Sequence, residues 1–272
     1  MHKFLQTLAC LVLSLAGVFS ASSGAQQKEL RVAAASDLKF AMTELASAYE
    51  RQSGVKLDLT FGSSGSFFAQ IRNGAPFDLF FSADSEYPRK LNDAGLIVPN
   101  STYQYALGRL VLWSPAESRT DPAKSGWNTL VDPAVKKIAI ANPDHAPYGR
   151  AAVAALRSSG LYDKVKDKLV FGENVSQATQ FVQSGNAQVG ILAMSLALSP
   201  PLRSGKYWEI PRSQFFPLFQ SAVVLKRTEH KDLALSFLQF VGSPAGIEIL
   251  EKSGFERPRV ATDRSPHRVK PF

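Results

Sequence analysis

Leu30-Arg-Val-Ala-Ala-Ala-Ser36-Asp37 reads as a strand that ends in a serine and turns into a helix, because Leu38, Met42, Leu45, Ala46 and Tyr49 then recur at helical spacing. The design returns at Val55-Lys-Leu-Asp-Leu-Thr-Phe61-Gly62-Ser63-Ser64-Gly65-Ser66. There Phe67, Phe68 and Ile71 open the next helix and Asn73-Gly74 closes it. Each turn puts small hydroxyl residues where a strand stops and a helix begins. A helix start leaves backbone N–H groups unpaired and carries partial positive charge, so it favours an anion. Serine adds an O–H donor without adding a charge. Two such turns predict an open α/β sheet that grips a small oxyanion through neutral donors.

Outward from these turns, strand-like runs are expected at 30–35, 55–61, 78–81, 110–113, 137–141, 168–171, 189–193 and 221–225. Helical patterns fall between them. Pro147 starts one that Gly160 closes, and Asn174 caps one carrying Val175, Ala178, Phe181 and Val182. Two more follow, from Glu229 to Val241 and from Pro244 to Lys252. Alternation of this kind predicts a mostly parallel sheet flanked by helices. Residues 114–127 read as a loop, and the stretch after Pro258 as a loose tail.

The chain has 272 residues and a formal net charge of +8. Residues 1–25 read as a secretory signal peptide. Lys3 precedes an apolar run over 4–19 that is broken only by Gln6, Thr7 and Ser14, and Ser23-Gly24-Ala25 offers a small-residue cleavage site. That run is too short and broken for a membrane span, which needs roughly 20 apolar residues. Cys10, the only cysteine, lies inside it, so the mature chain has no thiol chemistry and no thiolate metal site. Stability must then come from the core alone. Removing 1–25 leaves 30 basic against 23 acidic residues, with Arg257, Arg259, Arg264, Arg268 and Lys270 clustered near the end. No basic, aromatic-interleaved face accompanies them, so the excess charge reads as a solvated surface and not as a nucleic-acid site.

The ordered set Ala33-Ala-Ala-Ser36, Phe61-Gly-Ser-Ser64, Asn73-Gly-Ala-Pro-Phe-Asp-Leu-Phe-Phe-Ser-Ala-Asp84, Asn142-Pro-Asp-His-Ala-Pro-Tyr-Gly149, Glu173-Asn-Val175 and Gly190-Ile-Leu-Ala193 resembles the periplasmic molybdate-binding proteins of molybdate ABC transporters. The likeness runs from about Lys28 to about Gly254. It implies a type II periplasmic binding fold: two α/β lobes of mixed sheet with flanking helices and a ligand cleft between them. The chain is expected to cross near 107–109 and 218–221. Lobe I is then 28–107 with 222–272, and lobe II is 108–221. The resemblance further implies a periplasmic monomer that captures molybdate or tungstate and delivers it to a membrane ABC permease, with no cofactor and no catalysis.

Carried onto this chain, the resemblance gives Ser36 and Ser64 as hydroxyl and N–H donors to the oxyanion. Tyr148 falls where the main chain touches the anion in some relatives, and Val175 where a backbone N–H does. Some members have a tyrosine at the position of Ala193. Ala193 has no donor, and the hydroxyl of Tyr148 is expected to supply the missing one from across the cleft. Asp37 is expected to offer its N–H while its carboxylate points away, since a carboxylate beside a dianion is repulsive. Ser63 and Ser66 are expected to support the site from behind. Asp78 and Asp84 read as structural, and Arg150 as exposed on its helix.

Three other readings compete with this one. Sulfate or phosphate on the same fold is the nearest, with Asp37 able to accept the proton of a phosphate. A serine hydrolase fails on Gly62-Ser63-Ser64-Gly65-Ser66, which lacks the last glycine of G-x-S-x-G. Of His145, His230 and His267, only His145 is placed near the cleft. A transition-metal site has too few ligands, since these three histidines lie far apart and come with no cysteine.

Overall fold

A computed structural model describes residues 29–258. The expected signal peptide and all of the basic tail but Arg257 lie outside them. The chain begins β1 (Glu29–Ala35), a 3-10 turn (Ser36–Leu38), α1 (Lys39–Ser53), β2 (Lys56–Gly62), α2 (Ser64–Arg72), β3 (Leu79–Ser82) and α3 (Glu86–Asp93). It continues β4 (Tyr103–Gly108), β5 (Leu110–Ser114), α4 (Pro122–Ser125), β6 (Ile138–Ala141), α5 (Pro147–Ser158) and α6 (Tyr162–Val165). Then come β7 (Leu169–Gly172), α7 (Val175–Gln183), β8 (Val189–Ala193), α8 (Met194–Ala197), β9 (Lys206–Glu209), β10 (Leu218–Val224), α9 (Lys231–Val241) and α10 (Pro244–Lys252).

The strands form two five-stranded sheets with the same plan, β2-β1-β3-β10-β4 and β7-β6-β8-β5-β9. In each, three parallel strands are followed by an antiparallel one and an edge strand. The sheets are therefore mixed, where alternation alone predicts a mostly parallel one. The reason is the double crossing. Only Arg109 separates β4 of the first sheet from β5 of the second, and β10 returns after β9 to enter the first sheet antiparallel. β10 already pairs with β4 at Leu218, four residues before the expected start of the returning segment at 222.

Each expected strand run contains a strand, with ends shifted by up to three residues. β4 and β9 were not expected. Both are edge strands with polar or aromatic residues (Gln104, Tyr105, Lys206, Tyr207), and each pairs on one side only, so their apolar signal is thin. The central strands β1, β3, β6 and β8 are buried along almost their whole length, as strands covered by helices on both faces must be. α1 buries Met42, Leu45, Ala46 and Tyr49 against the first sheet and ends at Gly54, whose φ of 71° suits a residue without Cβ.

α9 and α10 close the first lobe by packing Phe237, Leu238, Ile249 and Leu250 into its core. Among the described residues no single helix is long and apolar enough to cross a membrane. The core of the second sheet also takes in Ala35, Ala83 and Leu218 of the first, so the two lobes meet through packed side chains.

Candidate functional site

Parallel strands in both sheets end in turns that start helices, and these ends face one another. The facing turns are β1 into Ser36, β2 into α2, β6 into α5 and β7 into α7. Between them lies a small gap lined by Ala35, Ser36, Asp37, Gly62, Ser63, Ser64, Ala83, Ala146, Pro147, Tyr148, Asn174 and Val175. Five of the six residues expected at the site, Ser36, Asp37, Ser64, Tyr148 and Val175, are therefore brought together from two sheets. Ala193 is not among the lining residues. It is fully buried at the end of β8, opposite Leu110.

The donors are held by short-range chemistry. Ser63 caps α2 by accepting from the N–H of Ser66 at 3.2 Å, and Asn174 caps α7 by accepting from Gln177 at 3.1 Å. These caps place Ser64 and Val175 at the first helical position, where a helix has no internal acceptor for the N–H. Pro147 opens α5 and has no N–H, which makes Tyr148 the first residue there with a donor to spare. Ser64 Oγ accepts from the N–H of Ala83 at 2.9 Å, so its own proton is left to give. Every donor in the set is uncharged.

Contacts run directly from lobe to lobe around the gap. The N–H of Gly65 donates to the carbonyl of His145 at 2.9 Å, and a Cβ at Gly65 would sit 2.6 Å from that oxygen. Ser176, a residue the sequence reading passed over, donates its hydroxyl to the Ser36 carbonyl at 3.0 Å and its N–H to Ser36 Oγ at 3.3 Å. Ser195 donates to the Asp37 carbonyl at 2.8 Å. Ser66 donates to Glu173 at 2.9 Å, so both Ser63 and Ser66 flank the lining as expected, with Ser63 in it.

Ser63 Oγ lies 2.9 Å from His145 Nδ1, and His145 Nε2 lies 3.3 Å from Glu173. His145 does reach the cleft, in the order hydroxyl, imidazole, carboxylate. The Ser63 hydroxyl is engaged as a helix cap and as a donor to Ser66 Oγ at 2.8 Å, so it serves the interface between lobes.

Two expectations need correction, and the structure adds detail to a third. The carboxylate of Asp37 is turned inward, onto β10. It is 1% exposed and accepts from Gln220 Nε2 at 2.6 Å, because β10 brings a buried glutamine beside it. Burial pushes its pKa up to about 6, with the Gln220 hydrogen bond opposing. The Tyr148 hydroxyl is engaged by the same cluster, 3.2 Å from Gln220 Nε2 and hydrogen-bonded to Asp37. Burial, then the Asp37 charge, holds that phenol well above its ordinary range. Arg150 is not a free surface cation. It crosses the cleft to Asp84 at 2.5 Å and to the Tyr87 hydroxyl at 3.2 Å. Burial raises the pKa of Asp84, and Arg150 is among the groups that oppose it. Asp78 is structural as expected, accepting from the Arg31 N–H and the Thr228 hydroxyl. Gln220 left one signal in the sequence, a lone amide within the apolar run Leu218–Val224.

The profile of the family described as bacterial extracellular solute-binding protein matches residues 30–256. The chain is 37% identical over 250 residues to the molybdate-binding protein ModA of Azotobacter vinelandii, covering 92% of this chain and 98% of that one. It is 35% identical over 255 residues to ModA of Rhodobacter capsulatus, covering 94% and 99%. The solved structure of the Azotobacter vinelandii periplasmic molybdate-binding protein matches with a TM-score of 0.80 at 34% identity, covering 85% of this chain and 100% of that one.

Proposed function

This chain belongs to the bacterial extracellular solute-binding proteins and, within them, to the family of the ModA molybdate-binding proteins, and we propose that it captures molybdate or tungstate in the periplasm and hands it to a membrane ABC permease. The observation that carries the reading is convergence: Ser36 and Ser64 from one sheet and Tyr148 and Val175 from the other line a single gap. Ser36 and Ser64 give hydroxyl and N–H donors, and Tyr148 and Val175 give main-chain N–H groups at the starts of α5 and α7. The N–H of Asp37 is a further donor. Preorganised dipoles of this kind replace the hydration of the anion in a dry cleft, where each is worth more than in water. The ligand is cargo, bound through its oxygens. No cofactor and no reaction enter this reading.

Because the donors come from both lobes, the anion favours the closed arrangement and shifts the population toward it. The permease then reads the closed surface of a monomer. The lobe limits 28–107 with 222–272 and 108–221 belong to the same proposal, with Leu218–Ser221 on the first-sheet side of the hinge. Sulfate is a tetrahedral dianion like molybdate, so selection against it rests on the size of the gap. Isothermal titration of the mature protein with molybdate, tungstate, sulfate and phosphate tests the assignment. Tight one-to-one binding of the first two with the others silent is expected. Preference for sulfate or phosphate would overturn it.

A further inference from the structure

Asp37 is one of the residues around the gap, and its buried carboxyl group is one that no neutral-donor scheme employs. Its Oδ2 accepts from Gln220, and its Oδ1 is buried without a hydrogen-bond partner among the described residues. The groups that face it come from four elements. Tyr148 lies on α5, Tyr105 on β4, Gln220 on β10, and Ser195 on α8 donates to its carbonyl. The Tyr105 hydroxyl donates to Gln220 Oε1 at 2.8 Å and, like Tyr148, is kept protonated by burial and by the nearby Asp37 charge. None of these groups is cationic, and among the described residues no ion pair to Asp37 is formed.

A dianion entering this gap meets a buried carboxylate with no cation to offset it. Like charges sharing a site out of water push one of them to take a proton. Resting on the oxyanion reading above, we propose that Asp37 is a specificity-determining residue: it takes one proton from solvent as a fully ionised oxyanion enters, so that anion and proton bind together. No bond in the anion changes. The neutral carboxyl removes the repulsion and becomes one more uncharged donor. Burial has already brought Asp37 to about 6, so at neutral pH this proton is taken up at small cost. An anion that carries its own proton, such as hydrogen phosphate, would bind without drawing one from solvent.

The test is isothermal titration of the full mature chain with sodium molybdate at pH 6, 7 and 8, in two buffers of different ionisation heat. Sulfate and phosphate serve as further probes. Uptake of close to one proton per molybdate at pH 7 is expected, with affinity falling about tenfold per pH unit above 6. Asp37→Asn should abolish both the uptake and the slope. If that variant fails to fold, the proton count on the wild-type chain decides alone. Tight molybdate binding with no proton uptake and a flat pH profile overturns the role of Asp37 and leaves the molybdate reading standing. Proton-coupled binding of sulfate in place of molybdate supports Asp37 and overturns the choice of ligand. Silence of every anion overturns both.

Discussion

The same residue type can serve ligand or fold, and its partners in the structure separate the two. Ser64 keeps a proton to donate because its oxygen already accepts from Ala83. Ser64→Ala should therefore weaken molybdate binding by about 1.5–3 kcal/mol, the worth of a hydrogen bond to a charged group, and lower stability through the orphaned Ala83 N–H. Ser36→Ala should weaken binding similarly. The Tyr148 hydroxyl is engaged by Asp37 and Gln220, so Tyr148→Phe should change affinity less than Ser64→Ala does. Titration of the three variants side by side checks the order. A Tyr148→Phe loss equal to that of Ser64→Ala would return the hydroxyl to the anion. The serines could be read from the sequence because a hydroxyl at a strand-to-helix turn has a local signature. The engagement of the Tyr148 hydroxyl left none, since Gln220 is 72 residues away.

At the scale of the element, the helix starts do the positioning. Asn174 caps α7 and so sets the direction of the Val175 N–H. Asn174→Ala should cost about 1 kcal/mol in urea unfolding and weaken molybdate binding along with it. α2 approaches the second lobe so closely that only glycine fits at 65. Gly65→Ala should hold the lobes apart while leaving each folded. The expected result is a larger radius of gyration by solution scattering in saturating molybdate and a large loss of affinity, with a small change in melting temperature. Unchanged closure would show that α2 can shift to make room. The caps were legible because Asn and Ser act within a few residues of their own position. The close approach was not, because the atoms that forbid a side chain at Gly65 belong to His145 and Tyr87.

Across the whole molecule, the charge held between the lobes gives stability a pH dependence of known sign. Asp37 has a folded-state value of about 6 against an ordinary 3.8, so the fold binds the proton more tightly than the open chain does. Its contribution is full below about pH 4 and is lost as pH rises through 6, a fall on the order of 2–3 kcal/mol. Urea unfolding of Asp37→Asn against wild type from pH 4 to 8 should show a gap that widens with pH in favour of the variant. A constant gap would mean the carboxyl does not sense burial. What the sequence determined by itself was the class of fold, most of its strands, the helix starts and the serines at them, because strand alternation, apolar spacing and capping all act over a few residues. Only the tertiary structure decided the order of strands within each sheet and the edge strands β4 and β9. It also decided the inward turn of Asp37 onto Gln220 and the reach of Arg150 across to Asp84. Each of these depends on which distant residues the double crossing sets face to face. Burial and charge act through space, and a pattern read along the chain does not contain those distances.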